Sequence, residues 1–348
     1  PPQSRAIPMT ATDLARSPEG WTVVSDRTQA PSGAGYAMAN RRIIARAMEG
    51  IHRRANLRRL RGWFDLVQVS LMDAAPEGVK DVPRVVLLTP GPGSETAFDQ
   101  GMLSTLLGHP LAQSDDLVMR GGRLWLRTMG RLEAVDVVLR RVDANWCDSL
   151  DLLPSSRLGV PGLVAAARRG TVAVVNPLRA AVLENPGLLP FQDAIARELL
   201  GEELLLPVPA TWWCGDPVAR RHVLANLGRL IIKPMARSRG EGHVLGWQQS
   251  TDQLAVLADR ITADPWGWVA QEPVTTSTAP LVTTHGLQPR NLVLRTFGVA
   301  VGETYHFLPG GLARIASAPD AFSVTNASGA GSKDVWVLDS DDAAPARV

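Results

Sequence analysis

Leu230-Ile231-Ile232-Lys233-Pro234-Met235-Ala236-Arg237-Ser238-Arg239-Gly240-Glu241-Gly242-His243-Val244-Leu245-Gly246 is an apolar run that ends in a lysine, opens into a polar glycine-bearing loop and closes on a second apolar run. The pattern predicts strand, cation, flexible loop, strand. Lys233 stands out because, among 36 Lys and Arg residues, only Lys80, Lys233 and Lys333 are lysine. A compact ammonium suits a single phosphate oxygen, whereas arginine brings a wide planar fork. A lysine that merely ends an edge strand has the same local sequence.

Outward from this stretch, composition removes several function classes. The chain has 348 residues, 45% hydrophobic and 20% charged, which is enough for two or three packed domains. It holds no apolar run long enough for a membrane helix and does not open on a basic-then-apolar leader, so the expected location is cytoplasmic. Cys147 and Cys214 are far apart, with neither disulfide-framework nor zinc spacing. A net charge of +2 is too small for a nucleic-acid-binding field, although His52 to Arg61 is locally basic. Leu57, Leu60, Phe64 and Val67 recur there at helical spacing, which predicts an amphipathic helix with the arginines on its wet face.

Toward the N-terminus, Trp21 to Val24 is β-prone and Asp26 stands at its end. The turn-rich Arg27-Thr28-Gln29-Ala30-Pro31-Ser32-Gly33-Ala34-Gly35-Tyr36 follows, and then a helix is expected over about 37–51. Asp26 fits either a turn carboxylate or a ligand for Mg²⁺, which pairs one or two carboxylates with phosphate oxygens and water. Beyond a linker near 73–83, strands and helices alternate. Arg84 to Leu88 is a buried-strand run, Thr89 to Ser94 a turn, and Glu95 to Leu107 a helix with Ser94 as N-cap. That turn is either an anion-binding loop or an ordinary tight connection. Arg120-Gly121-Gly122-Arg123 predicts a hairpin. Val135 to Leu139 delivers Arg140-Arg141-Val142-Asp143 to a strand end, where a carboxylate grip and a structural ion-pair cluster are both compatible with the residues. A helix is expected from Gly159 to Arg169, and a strand over Thr171 to Val175 ends at Asn176. After a helix over Phe191 to Leu200 and a proline-broken segment, strand landmarks carry Gln271-Glu272, Arg295, Arg314 and Lys333. Several charged groups at strand ends form the layout of a polar cleft.

The order of blocks carries more information than any one of them. Asp26-Arg27-Thr28-Gln29-Ala30-Pro31-Ser32-Gly33-Ala34-Gly35-Tyr36, Leu88-Thr89-Pro90-Gly91, Arg140-Arg141-Val142-Asp143, Leu158-Gly159-Val160-Pro161-Gly162-Leu163, Thr211-Trp212-Trp213-Cys214-Gly215, Ile232-Lys233-Pro234, Ala270-Gln271-Glu272, Pro309-Gly310-Gly311-Leu312-Ala313-Arg314 and Gly331-Ser332-Lys333-Asp334 resemble the circularly permuted ATP-grasp proteins. The resemblance runs from about Leu14 to Leu338. It implies an α/β chain, α+β in its C-terminal part, with a permuted ATP-grasp fold and an open α/β pre-ATP-grasp domain. The implied divisions are a permuted metal-site segment over 1–80, a pre-ATP-grasp-like substrate domain over 81–190 and nucleotide-binding lobes over 191–348.

The implied activity is an ATP- and Mg²⁺-dependent ligase that activates a small-molecule or peptide carboxylate as an acyl phosphate and joins it to an amine. Carried onto this sequence, Lys233 contacts nucleotide phosphates, with Arg237, Arg239 and Gly240 in the lid loop, and Gln271 and Glu272 contact adenine or ribose. Asp26 supplies the metal site, Arg295, Arg314 and Lys333 the catalytic cations, and Ser94, Arg140, Arg141, Asp143 and Asn176 the substrate contacts. Ser25 and Arg27 stand where wider relatives carry an acid and an asparagine. This keeps open a second expectation, a nucleotide-binding pseudoenzyme that scaffolds a partner protein or a second copy. Neither nucleic acid nor membrane is an expected partner, and the chain reads as a core portion of a longer protein.

Overall fold

The structure is a computed structural model that describes residues 7–235, 242–318 and 329–339. The chain forms two compact units, one of residues 1–12, 27–181 and 294–348, the other of residues 13–26 and 182–293. Three strands, Met9–Ser17, Gly20–Arg27 and Gly286–Val301, have residues in both units.

The first unit is built on a four-stranded sheet ordered Leu111–Ala112, Val85–Leu88, Val137–Arg140, Ala173–Val175, with every pairing parallel. Its strands are continuous apolar runs because both faces are covered. Val85, Leu87, Val137, Leu139 and Val175 face a core with Trp63, Phe64, Val67, Leu71, Leu103 and Phe297. Val86, Leu88, Val138 and Val174 face a second core with Leu117, Leu124, Leu163 and Ala166. A meander of Leu117–Arg120, Arg123–Thr128 and Arg131–Ala134 contributes to that second core. Its first turn uses Gly121 and Gly122 at φ 59° and 77°, the left-handed pair that a two-residue hairpin needs.

Sequence periodicity differs from the structure at three helices. The basic stretch is a short helix Glu49–Arg54 and a separate helix Arg61–Asp73, broken at Asn56, whose φ is 42°. Leu60, Phe64 and Val67 are buried as their spacing predicts, whereas Leu57 lies in the break and bridges to Leu338. The helix after Val85–Leu88 spans Ala97–Leu107 with Thr96, not Ser94, at the N-cap, and the Ser94 side chain bonds to Thr96 and Gln100 instead. The helix expected from Gly159 is Leu163–Arg168, entered through Gly162 at φ 86°. Gly159 itself lies against Cys147, where a Cβ would overlap the Cys147 backbone.

The second unit holds a four-stranded antiparallel sheet in the order Thr211–Trp213, Trp268–Gln271, Ile231–Pro234, Val244–Leu245. Helices Pro217–Ala225 and Thr251–Ala263 supply Val223, Leu257 and Ile261 to a core with Ile232, Trp268 and Ala270. Both helices begin on strong local signals. Asp216 caps the first by accepting from Val218 N and Ala219 N, with Pro217 at the first turn, and Ser250 with Gln253 forms a capping box on the second.

Candidate nucleotide site

Strand alternation positions the lysine. Ile232 and Ala270 turn to the helical core, so Ile231, Lys233 and Gln271 point to the opposite face. Gln271 pairs with both Ile231 and Thr211, which puts Thr211 directly beside Gln271 and Lys233 diagonally across from it. Lys233 is 7% exposed and Gln271 1% exposed. Lys233 Nζ donates to Gln271 Oε1 at 2.5 Å, and Gln271 Nε2 donates to Thr211 Oγ1 at 3.1 Å. The Lys233 ammonium thus donates to an uncharged amide oxygen on the neighbouring strand. Glu272 is exposed beyond the strand end, where its N–H donates to the Ala210 carbonyl. Arg237, Arg239 and Gly240 lie outside the described residues.

Asp26 belongs to the same unit, half-buried in the strand Gly20–Arg27. Ser25 Oγ donates at 3.1 Å to Asp13 Oδ2, an acid on the adjacent strand that is 3% exposed. Sequence reading missed Asp13. Its signal was the alternation Met9, Ala11, Asp13, Ala15, which puts a carboxylate on a buried face. Among the described residues no three His, Cys, Asp or Glu side chains form a metal cluster. A hard cation that relies on one or two carboxylates, phosphate oxygens and water is compatible with this donor set.

The remaining candidates lie in the first unit. Arg140 is fully buried and donates from Nε to the Asn176 carbonyl at 2.7 Å, from Nη1 to Val142 O at 2.9 Å and from Nη2 to Pro177 O at 3.3 Å. The Asn176 side chain accepts from Met9 N and donates to Met9 O and Thr28 O. Arg141 Nη2 donates to Ala30 O and Pro31 O and stands 3.9 Å from Asp99 Oδ2. Burial lowers the Arg141 pKa from the ordinary arginine value, with the Asp99 charge opposing. Asp143 is exposed and Ser94 half-buried. Arg295 donates to the Ser32 carbonyl at 3.0 Å. Arg314 pairs with Ser332 while Lys333 pairs with Ala313, so Arg314 and Lys333 project from opposite faces of their two strands. The structure therefore joins Lys233 to Gln271 and Arg140 to Asn176, and separates Arg314 from Lys333.

One unit thus carries the buried Lys233 on an antiparallel sheet and the other holds a parallel sheet. The chain belongs to the circularly permuted ATP-grasp type 2 family, whose family model matches residues 1–316. The uncharacterized protein Rv2567 of Mycobacterium tuberculosis is 46% identical over 332 residues, which is 94% of this chain and 37% of that protein. The uncharacterized protein Rv2411c of the same organism is 33% identical over 348 residues, 100% of this chain and 63% of its own length. The chain thus spans less than two thirds of either relative. A third uncharacterized relative, sll0335 of Synechocystis, is 32% identical over 97% of this chain and 70% of its own length. Among solved structures, a glutathione synthetase-like effector from Globodera pallida in its apoform superposes with a TM-score of 0.61 at 12% identity, covering 96% of this chain and 77% of that one. At that identity the likeness is one of fold. Among the described residues no helix is long and apolar enough to cross a membrane.

Proposed function

We propose that this chain is the core of an ATP- and Mg²⁺-dependent carboxylate–amine ligase. The observation that carries the reading is the buried Lys233 ammonium held by the neutral Gln271 amide, in a chain of the ATP-grasp family. Lys233 neutralises nucleotide phosphate charge, Gln271 and Glu272 lie toward the nucleoside, and Arg237, Arg239 and Gly240 belong to the covering loop. Asp26 holds the metal, which adds positive charge to the polyphosphate. Arg295, Arg314 and Lys333 are the remaining candidate cations.

In this reaction a substrate carboxylate oxygen attacks the γ-phosphorus of ATP and the bond to the β-phosphate oxygen breaks, releasing ADP. An amine nitrogen then attacks the acyl carbon, phosphate leaves, and the amine proton is lost to solvent. The protein's part is positioning and electrostatic stabilisation. Arg141, Asp143 and Ser94 line the carboxylate side, with Arg140 and Asn176 supporting them. Segments 1–80, 81–190 and 191–348 are the proposed metal, substrate and nucleotide divisions, and the proposed location is cytoplasmic.

ATP with Mg²⁺ is expected to raise the melting temperature, Lys233→Ala to remove that rise, and hydroxylamine to trap an acyl hydroxamate from the right acid. A nucleotide-dependent rise with no ATP consumption across a broad panel of acids and amines would favour the scaffold alternative, which Ser25 and Arg27 beside Asp26 motivate.

A further inference from the structure

Thr211 completes a polar row whose direction is fixed at both ends. Lys233 Nζ donates to Gln271 Oε1 at 2.5 Å, Gln271 Nε2 donates to Thr211 Oγ1 at 3.1 Å, and Thr211 Oγ1 donates to the Pro209 carbonyl at 2.8 Å. An ammonium has donors only, and a peptide carbonyl accepts only. Between these ends the amide and the hydroxyl have one self-consistent orientation. Pro209 takes the threonine proton, so Oγ1 offers a lone pair to Gln271. The amide must turn its NH₂ to Thr211 and its oxygen to Lys233. Flipping the amide would set NH₂ against the ammonium and oxygen against a hydroxyl whose proton is already committed.

The row crosses three adjacent strands on one face, where each member is held by the ladder beneath it. We propose that Gln271 and Thr211 are positioning residues for Lys233, fixing where its ammonium stands for a polyphosphate ligand. The inference rests on the nucleotide reading for its ligand, while the positioning itself is a property of the protein alone. A glutamate at 271 would hold the lysine as well, but its carboxylate would compete with phosphate for the ammonium. A valine at 211 keeps the shape and removes the lone pair that orients the amide.

Two readouts separate the inference from the reading beneath it. With three lysines in the sequence, the Lys233 ammonium can be assigned by ¹⁵N-lysine labelling and followed without nucleotide. Thr211→Val is expected to broaden that signal by faster exchange and Thr211→Ser to restore it. In titrations with Mg²⁺, Thr211→Val is expected to weaken ATP about tenfold, the scale of one buried hydrogen bond, with Thr211→Ser recovering the loss. Gln271→Glu, close to isosteric, is expected to weaken ATP at least as much and provides the test if Thr211→Val fails to fold. An unaltered ammonium signal with wild-type ATP affinity in Thr211→Val, or wild-type ATP affinity in Gln271→Glu, overturns the positioning role even if Lys233→Ala abolishes binding. A wild-type protein that does not bind ATP overturns the nucleotide reading instead, and the ammonium signal of Thr211→Val then decides the positioning role by itself.

Discussion

Arg140 donates from Nε to the main-chain carbonyl of Asn176 at 2.7 Å, linking the C-terminal ends of two neighbouring parallel strands. Strand ends of an open parallel sheet are where ligands usually bind, and both side chains there are committed to the protein's own backbone. Asn176 ties Met9 N, Met9 O and Thr28 O together, three buried groups from two distant parts of the chain. Asn176→Ala leaves all three without that partner. The expected loss is about 2 to 4 kcal/mol, because each unsatisfied buried polar group costs on the order of 1 kcal/mol or more. The drop would appear in the denaturant midpoint, and an unchanged midpoint would show that water replaces the amide there.

A second lock lies beside Lys333. Arg41 Nε meets Asp334 Oδ2 at 2.7 Å with both side chains nearly buried, while Arg41 also donates to Arg58 O and Val335 O and Trp336 Nε1 donates to the same carboxylate oxygen. Removing one partner of such a pair strands the other charge. Asp334→Ala is expected to cost about 3 to 5 kcal/mol, and the double change Arg41→Met with Asp334→Leu less than the sum of the two single changes. Additive losses in a double-mutant cycle would mean that the two groups are not coupled.

These two locks mark where sequence reading stops. The strands Val85–Leu88, Val137–Arg140 and Ile231–Pro234 were readable because burial on both faces writes a continuous apolar run, and Lys233 stood out against an arginine-rich background. Register was not readable. Nothing local tells that Thr211 sits opposite Gln271 or that Lys333 and Arg314 face apart, since that depends on pairings between segments far apart in the chain. Arg140 looked the same as a ligand grip because its acceptors, the carbonyls of Asn176 and Pro177, are 36 and 37 residues away. The helix predicted through Asn56 failed for a different reason, because one residue at positive φ interrupts a spacing that continues on either side.

The two thiols supply a pH signature. Burial pushes both Cys147 and Cys214 up from 9.0 to about 11. In the unfolded chain the thiols lose their protons near pH 9, whereas the folded chain keeps them to about 11. Across that window the unfolded state binds fewer protons, so stability falls as pH rises. The urea midpoint is expected to decline from pH 9 toward pH 11, and to decline less in a Cys147→Ala, Cys214→Ala protein. At pH 8.5 iodoacetamide is expected to label the native chain slowly and the denatured chain at the rate of a free thiol. Rapid native labelling would show that the thiols are not held in their neutral form.

Asp26 is the place to test the metal. A half-buried carboxylate at a strand end, in a unit that also holds Lys233, offers the oxygen donor that Mg²⁺ takes alongside phosphate oxygens and water. Asp13, on the adjacent strand, accepts from Ser25 at 3.1 Å and is more deeply buried. The two acids should therefore respond differently to loss of charge. Chelation with EDTA is expected to abolish the ATP-dependent rise in melting temperature for the wild-type chain. Asp26→Asn is expected to raise the Mg²⁺ needed for a half-maximal rise about tenfold. Asp13→Asn is expected to lower the nucleotide-free melting temperature itself. If Asp26→Asn titrates with Mg²⁺ as the wild type does, the metal is held elsewhere and Asp26 is a structural carboxylate.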